Sequence, residues 1–145
     1  MYIEQVTTAT ADLLSALENL IPQLTRRNRP PTWSDLEALI GSTSSLLIVG
    51  REPDAGGSIV AAGCLVVYRV TTGVRAIVED VVVDAAWRGH GLGESLLQRL
   101  VDLARDRGAA GVFLTSNPAR DAANKLYLKA GFTRRRTNSY YYALS

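Results

Sequence analysis

The sequence predicts an α/β fold: a central mixed sheet with helices on both of its faces. Three observations carry this. Apolar residues recur at helical spacing at Leu13, Leu14, Leu17, Leu20, Ile21 and Leu24, and again at Leu96, Leu97, Leu100, Val101, Leu103 and Ala104. Two long β-branched runs, Ser58–Val70 and 74–84, flank Thr71-Thr72-Gly73 and read as a hairpin. The second run leads through a helix to another apolar run at 111–115, a β-α-β crossover.

Each element follows from local chemistry. Residues 2–6 form a short first strand. Thr8 or Thr10 caps the first helix, and Pro22 kinks or ends it. A basic loop, residues 26–31, follows. Thr32 and Asp35 suit the cap and third position of a second helix bearing Leu36, Leu39 and Ile40 and ended by Gly41. Residues 46–50 form a second strand and residues 52–57 a turn. The third helix stops at Gly108, and residues 111–115 form a buried strand. Asn117-Pro118 supplies a cap and a first-position proline for a fourth helix closed by Gly131. Residues 132–136 and 140–144 complete the sheet as a closing hairpin.

Composition narrows the function. A chain of 145 residues, 47% apolar, fits a single domain spanning residues 1–145. A net charge of +2 gives no nucleic-acid surface. The single Cys64 and single His90 leave no metal cluster and no disulfide framework, and Cys64 reads as a buried structural thiol. No apolar run is long enough for a membrane span, and no signal peptide is expected at the start, so a cytoplasmic protein is expected.

The most informative stretch is Val81-Val82-Val83-Asp84-Ala85-Ala86-Trp87-Arg88-Gly89-His90-Gly91-Leu92-Gly93-Glu94. A strand feeds a glycine loop that feeds a helix N-terminus, which makes an anion site. It therefore predicts a phosphorylated cofactor. A P-loop would need Lys then Ser or Thr after the last glycine, where Glu94-Ser95 stands. A dinucleotide fingerprint would need a third glycine at Glu94 or Leu96, and an acidic residue about 20 positions on. What remains is Arg-x-x-Gly-x-Gly at Arg88, Gly91 and Gly93.

That motif, with Leu126-Tyr127-Leu128-Lys129-Ala130-Gly131-Phe132 downstream, resembles the GNAT superfamily of acetyl-coenzyme A-dependent N-acetyltransferases. The resemblance covers residues 58 to 145; the N-terminal third matches only in its order of elements. It implies a GNAT-type, mostly antiparallel sheet of about seven strands. It also implies acetyl-CoA as acetyl donor, bound by the backbone of Val81, Val82 and Val83 and by the loop Arg88, Gly89, His90, Gly91, Leu92, Gly93 and Glu94. Asn124 is a further candidate, toward the pantetheine arm. Only the backbone of His90 is used in that motif, so its side chain is expected to face solvent. Tyr127 matches the tyrosine that protonates the departing thiolate.

Glu79 and Asp80 interrupt the apolar run 76–83. A carboxylate buried there is costly unless paired or functional. Adjacent strand residues point to opposite faces unless a bulge intervenes. Asp80 is assigned an arginine partner, and Glu79 the role of base toward the acceptor ammonium. The resemblance implies direct attack by a primary amine, on a small molecule or alternatively on a protein; a catalytically silent acyl-CoA sensor is the rival reading. It leaves a homodimer open. Glucosamine-phosphate acetyltransferases place an acidic residue some nine positions before the tyrosine; here Pro118 stands there, which argues against a sugar-phosphate acceptor.

Overall fold

The computed structural model describes residues 1–25, 27 and 29–145, so Arg26 and Asn28 of the expected basic loop lie outside the described residues. The chain divides into two compact units, Met1–Thr115 and Ser116–Ser145.

The first unit holds an open five-stranded sheet in the order β1-β2-β3-β4-β5. The strands are β1 (Tyr2–Gln5), β2 (Ser45–Glu52), β3 (Ser58–Val70), β4 (Gly73–Val83) and β5 (Val112–Phe113). The first three pairings are antiparallel and β4–β5 is parallel. The helices are α1 (Ala11–Leu24), α2 (Trp33–Gly41) and α3 (Leu92–Asp106).

Thr10 caps α1, accepting the Leu13 N–H at 3.1 Å. Pro22 sits in the last turn of α1, and Leu24 ends the helix. Leu13, Leu17 and Leu20 line the buried stripe. At α2, Thr32 and Asp35 form a reciprocal capping box, with bonds of 2.9 and 3.2 Å. These helices meet one face of the sheet, where Leu36, Leu47, Val49, Ile59, Ala62 and Val82 complete the core. On β2, Leu46 and Ile48 alternate to the opposite face and are equally buried. That face carries α3, whose Leu96 and Leu100 reach Gly63 of β3. Arg51 of β2 ties β1 and α1 together, with 2.9 Å to Glu4 and 3.3 Å to Asp12.

The second unit contains α4 (Asp121–Lys129). Two expectations fail here. The sheet has five strands rather than about seven, because residues 132–145 form no strand. Arg134-Arg135-Arg136 and Tyr140-Tyr141-Tyr142 are runs of one residue type, so no apolar alternation marks an inner face and nothing fixes a register. Asn117-Pro118 also does not start α4. The Asn117 Oδ1 accepts the Ala119 N–H at 2.9 Å and closes a turn, and the helix begins at Asp121. In the first unit, β5 is shorter and less buried than expected: two residues, with Phe113 40% exposed.

The pairing of β3 with β4 is irregular at one point. Ala62 pairs with Val82 and Cys64 with Glu79, so Asp80 and Val81 together oppose Gly63. This is a β-bulge. Asp80 takes φ +53°, a left-handed conformation that Asp tolerates better than most residues. A Cβ on Gly63 would lie 3.3 Å from Val81 Cγ2 and from Leu100 Cδ1. Gly63→Val should therefore destabilise the fold by roughly 1–3 kcal/mol through overpacking. Chemical denaturation measures this, and a midpoint equal to that of the wild type would show that the space opposite the bulge is not needed.

Candidate active site

The glycine loop is shaped by backbone conformation. Gly89 and Gly91 have φ +83° and +78°. Gly91 is the N-cap of α3 without a side-chain cap bond, and the first helical bond runs from Ser95 N–H to Gly91 O at 3.1 Å. The N–H groups of Leu92 and Gly93 thus belong to the first turn, at the positive end of a 15-residue helix. This is the cradle that a diphosphate requires. Glu94 lies in the same turn.

The strand backbone expected to take part, Val81 to Val83, ends β4 just before the loop. β5 pairs with β4 only at Ala76–Val112 and Ile77–Phe113. Among the described residues, the stretch from Val78 to Val83 has no strand on its β5 side. Backbone groups of Val81, Val82 and Val83 on that side are available for an extended ligand to pair with, as an added strand would.

Side chains around the loop bond to backbone. Arg88 donates through Nε to Val83 O at 3.2 Å. His90 is exposed, as expected, but its Nδ1 lies 3.0 Å from Trp87 O and 3.1 Å from Arg88 O. Carbonyls only accept, so Nδ1 carries the proton. A recess of about 390 Å³ lies between the end of α1 and the start of the loop, lined by Pro22, Gln23, Leu24, Thr25, Ala85 and Arg88. Sequence reasoning missed Asn19 and Gln23, which reach from α1 to the turn before the loop. The Gln23 Oε1 accepts the Ala85 N–H at 2.8 Å and the Asn19 Nδ2 donates to Asp84 at 3.1 Å. The one trace they leave in sequence is two amides four residues apart on an otherwise leucine-rich helix.

Glu79 and Asp80 differ from expectation in two ways. Both are exposed rather than buried, and both lie at the bulge. Asp80 has no arginine partner: among the described residues neither carboxylate forms a salt bridge or side-chain hydrogen bond. Glu79 pairs across the ladder with Cys64 and so shares its face, the face of α1 and α2. Val82, three residues on, occupies the same face, which only the inserted residue permits. Partial desolvation first, then the adjacent Asp80 carboxylate, raise the Glu79 pKa above the ordinary range. Burial, then Asp80 and Glu79, push the Cys64 thiol up to about 12. A thiol so held stays protonated and inert.

In the second unit, the Leu-Tyr-x-x-x-Gly-Phe pattern has a physical reading. Phe132 N–H bonds to Tyr127 O at 3.0 Å and Gly131 N–H to Leu128 O at 3.1 Å, with Gly131 at φ +102°. This is a Schellman closure, whose hydrophobic contact is the edge-on pair Tyr127–Phe132, 6.3 Å between ring centres. The spacing fixes the Tyr127 ring. Asn124 donates to Asn117 O at 3.1 Å and holds the preceding turn. Among the described residues no group of three or more His, Cys, Asp or Glu is placed to hold a metal, and no helix is long and apolar enough to cross a membrane.

A sequence model of the acetyltransferase (GNAT) family matches residues 14–132. A curated protein of Oryza sativa subsp. japonica, named "Probable glucosamine 6-phosphate N-acetyltransferase 2", is 40% identical over 124 residues, 83% of this chain and 71% of that protein. Two solved structures share the fold. Glucosamine-6-phosphate N-acetyltransferase from Arabidopsis thaliana superposes with TM-score 0.77 at 22% identity, covering 97% of each chain. An aminoglycoside acetyltransferase from an uncultured soil metagenomic sample, in complex with sisomicin, superposes with TM-score 0.84 at 18% identity, covering 99% of this chain and 95% of that one.

The titration of Cys64 gives a direct check. Iodoacetamide at pH 8 should leave the native thiol unmodified over a period that fully labels the unfolded chain. Equal labelling rates in the two states would show that the fold does not protect it.

Proposed function

The chain belongs to the GNAT acetyltransferase family and is an acyltransferase, and we propose that it moves an acetyl group from acetyl-CoA to the primary amine of a small molecule, with residues 1–145 acting as one catalytic domain. The observation that carries this reading is the bare β5 side of β4 from Val78 to Val83, leading directly into the Gly91-capped start of α3. A long ligand with an amide-bearing arm and a diphosphate finds strand-like pairing along the first and helix-terminal N–H groups at the second.

In this reading Leu92 and Gly93 hold the diphosphate through backbone N–H groups. The backbone of Val81, Val82 and Val83 holds the pantetheine arm, and one N–H there polarises the thioester carbonyl. Acetyl-CoA supplies the activated acetyl group. Glu79 takes the proton from the acceptor ammonium, directly or through one water, which leaves the amine lone pair free to attack. Its raised pKa makes it a stronger base than an ordinary glutamate. Tyr127 supplies a proton to the departing thiolate; a phenol and a thiol have ordinary pKa values close enough for that exchange. Small amines fit the names of the similar proteins, which include an amino sugar phosphate acetyltransferase and an aminoglycoside acetyltransferase. Pro118, in place of an acidic residue, distinguishes this chain from the sugar-phosphate pattern, so an acceptor screen should span amino sugars with and without phosphate.

Gly91→Asp tests the donor site. It forces a side chain onto a φ of +78° and sets an anion where the diphosphate must lie. Calorimetry should show acetyl-CoA binding lost in a variant whose circular dichroism is that of the wild type. Unchanged affinity would overturn the assignment.

The proton path is tested by pH–rate profiles. A raised carboxyl pKa means that Glu79 loses its basicity at a higher pH than an ordinary glutamate as the solution is acidified. Glu79→Gln should thus cost most between that pKa and the acceptor's own, and the loss should shrink as free amine accumulates at higher pH. Tyr127→Phe should instead lower turnover by about 10- to 1,000-fold with acetyl-CoA affinity kept. Profiles parallel to that of the wild type at equal rates would remove either residue from the reaction.

A further inference from the structure

The turn that launches the glycine loop is held by hydrogen bonds rather than by packing. No residue from Ala85 to Gly91 is buried. The last sheet-type bond on this segment is Asp84 N–H to Val60 O at 2.8 Å. Beyond it, a short 3₁₀ turn (Ala85–Trp87) is braced within itself by Trp87 N–H to Asp84 O at 2.8 Å and by the Asp84 Oδ1 on Ala86 N–H at 3.1 Å. The anchors that reach it from elsewhere in the fold come from α1. Gln23 accepts the Ala85 N–H at 2.8 Å, and Asn19 donates to the second oxygen of Asp84 at 3.1 Å. Gln23 is itself oriented, since its Nε2 donates to Asn19 O at 3.2 Å. The Ala85 N–H has no partner within its own turn, because the Asp84 side chain serves Ala86. The acceptor comes from 62 residues away in the chain.

We infer that Gln23, supported by Asn19, is a positioning residue for the cofactor loop: it fixes the 3₁₀ turn and so sets where the N–H groups of Gly89 to Gly93 stand relative to a bound diphosphate. This rests on the reading of that loop as the acetyl-CoA site. Gln23 touches neither reactant in this role. It also lines the recess shared with Ala85 and Arg88, at the entrance to the loop. A misplacement of the loop weakens contacts to the diphosphate and leaves those along β4 intact. Affinity for acetyl-CoA should therefore change while affinity for S-acetylpantetheine, which lacks the diphosphate, should not.

The test is a double-mutant cycle read by calorimetry. Gln23→Met keeps the length and removes the acceptor. It should weaken acetyl-CoA binding about tenfold, the equivalent of one typical hydrogen bond, with S-acetylpantetheine affinity unchanged and the circular dichroism of the free protein that of the wild type. Ala85→Pro removes the N–H that Gln23 accepts. Proline suits a first helical position, and Asp84, at ψ 133°, already has the conformation required before proline. In that background Gln23→Met should cost less than about twofold. A tenfold loss in both backgrounds, an equal loss for both ligands, or no loss at all would each overturn the role of Gln23. If instead the wild type itself binds acetyl-CoA no better than S-acetylpantetheine, the loop is not the diphosphate site, and the assignment tested by Gly91→Asp fails together with this one.

Discussion

One inserted residue in β4 organises the candidate site. Two residues, Asp80 and Val81, stand opposite Gly63, and the strand changes phase between Glu79 and Val82. Without that insertion, Glu79 and Val82 would lie on opposite faces. With it, Glu79 shares the face of α1 and α2, and Val82 still enters the core beneath those helices. The bulge also coincides with the stretch where β5 no longer follows β4. An exposed carboxylate pair and a strand edge without a β5 partner thus lie on the same stretch of β4. Gly63 makes it sterically possible, since any side chain there would press on Val81 and Leu100.

The local electrostatics are unfavourable, and this is informative. Two adjacent carboxylates stand without a cation partner among the described residues, and one of them takes a left-handed backbone conformation. Partial desolvation, reinforced by the like charge alongside, disfavours ionisation, which is why Glu79 sits above its ordinary range. Its ionised form is therefore a net cost to the folded state at neutral pH, one that disappears on acidification as the proton returns. Structural carboxylates are normally placed the other way, beside a cation, as Glu4 and Asp12 are beside Arg51. Perturbed, unpaired and strained groups concentrate at functional sites.

How much can be read from sequence depends on how local the cause is. The α3 start, the α3 stop at Gly108 and the Tyr127–Phe132 closure are legible because each depends on a few consecutive residues with fixed backbone demands. The capping box of α2 is legible for the same reason. The phase change in β4 is not, because a bulge is a property of two strands: residues 76–83 alone read as one continuous strand, with Glu79 and Asp80 alternating and buried. The arginine assigned to Asp80 fails with that premise. Residues 132–145 show the converse error. Their tyrosines have high strand propensity, but propensity without alternation specifies no face and no partner. Asn117 misleads because the same residue that caps helices also closes tight turns, and only the later start of α4 distinguishes the two.

The same distinction explains why α1 matters to a site whose recognisable motif lies about 60 residues further on. The glycine motif specifies the conformation of the loop, with left-handed turns at Gly89 and Gly91 followed by a helix start. It does not specify where the loop stands, because a glycine has no side chain to pack. Position has to come from contacts that the glycines themselves cannot make. It comes from the sheet through Asp84 and Val60, from Arg88 turning back onto Val83, and from the two amides of α1. A leucine stripe holds α1 rigidly on the sheet, so its polar edge is a fixed reference for the loop. Conformation encoded locally and position supplied at a distance are thus separable, and a substitution on α1 can remove an anchor of the loop while the motif stays intact.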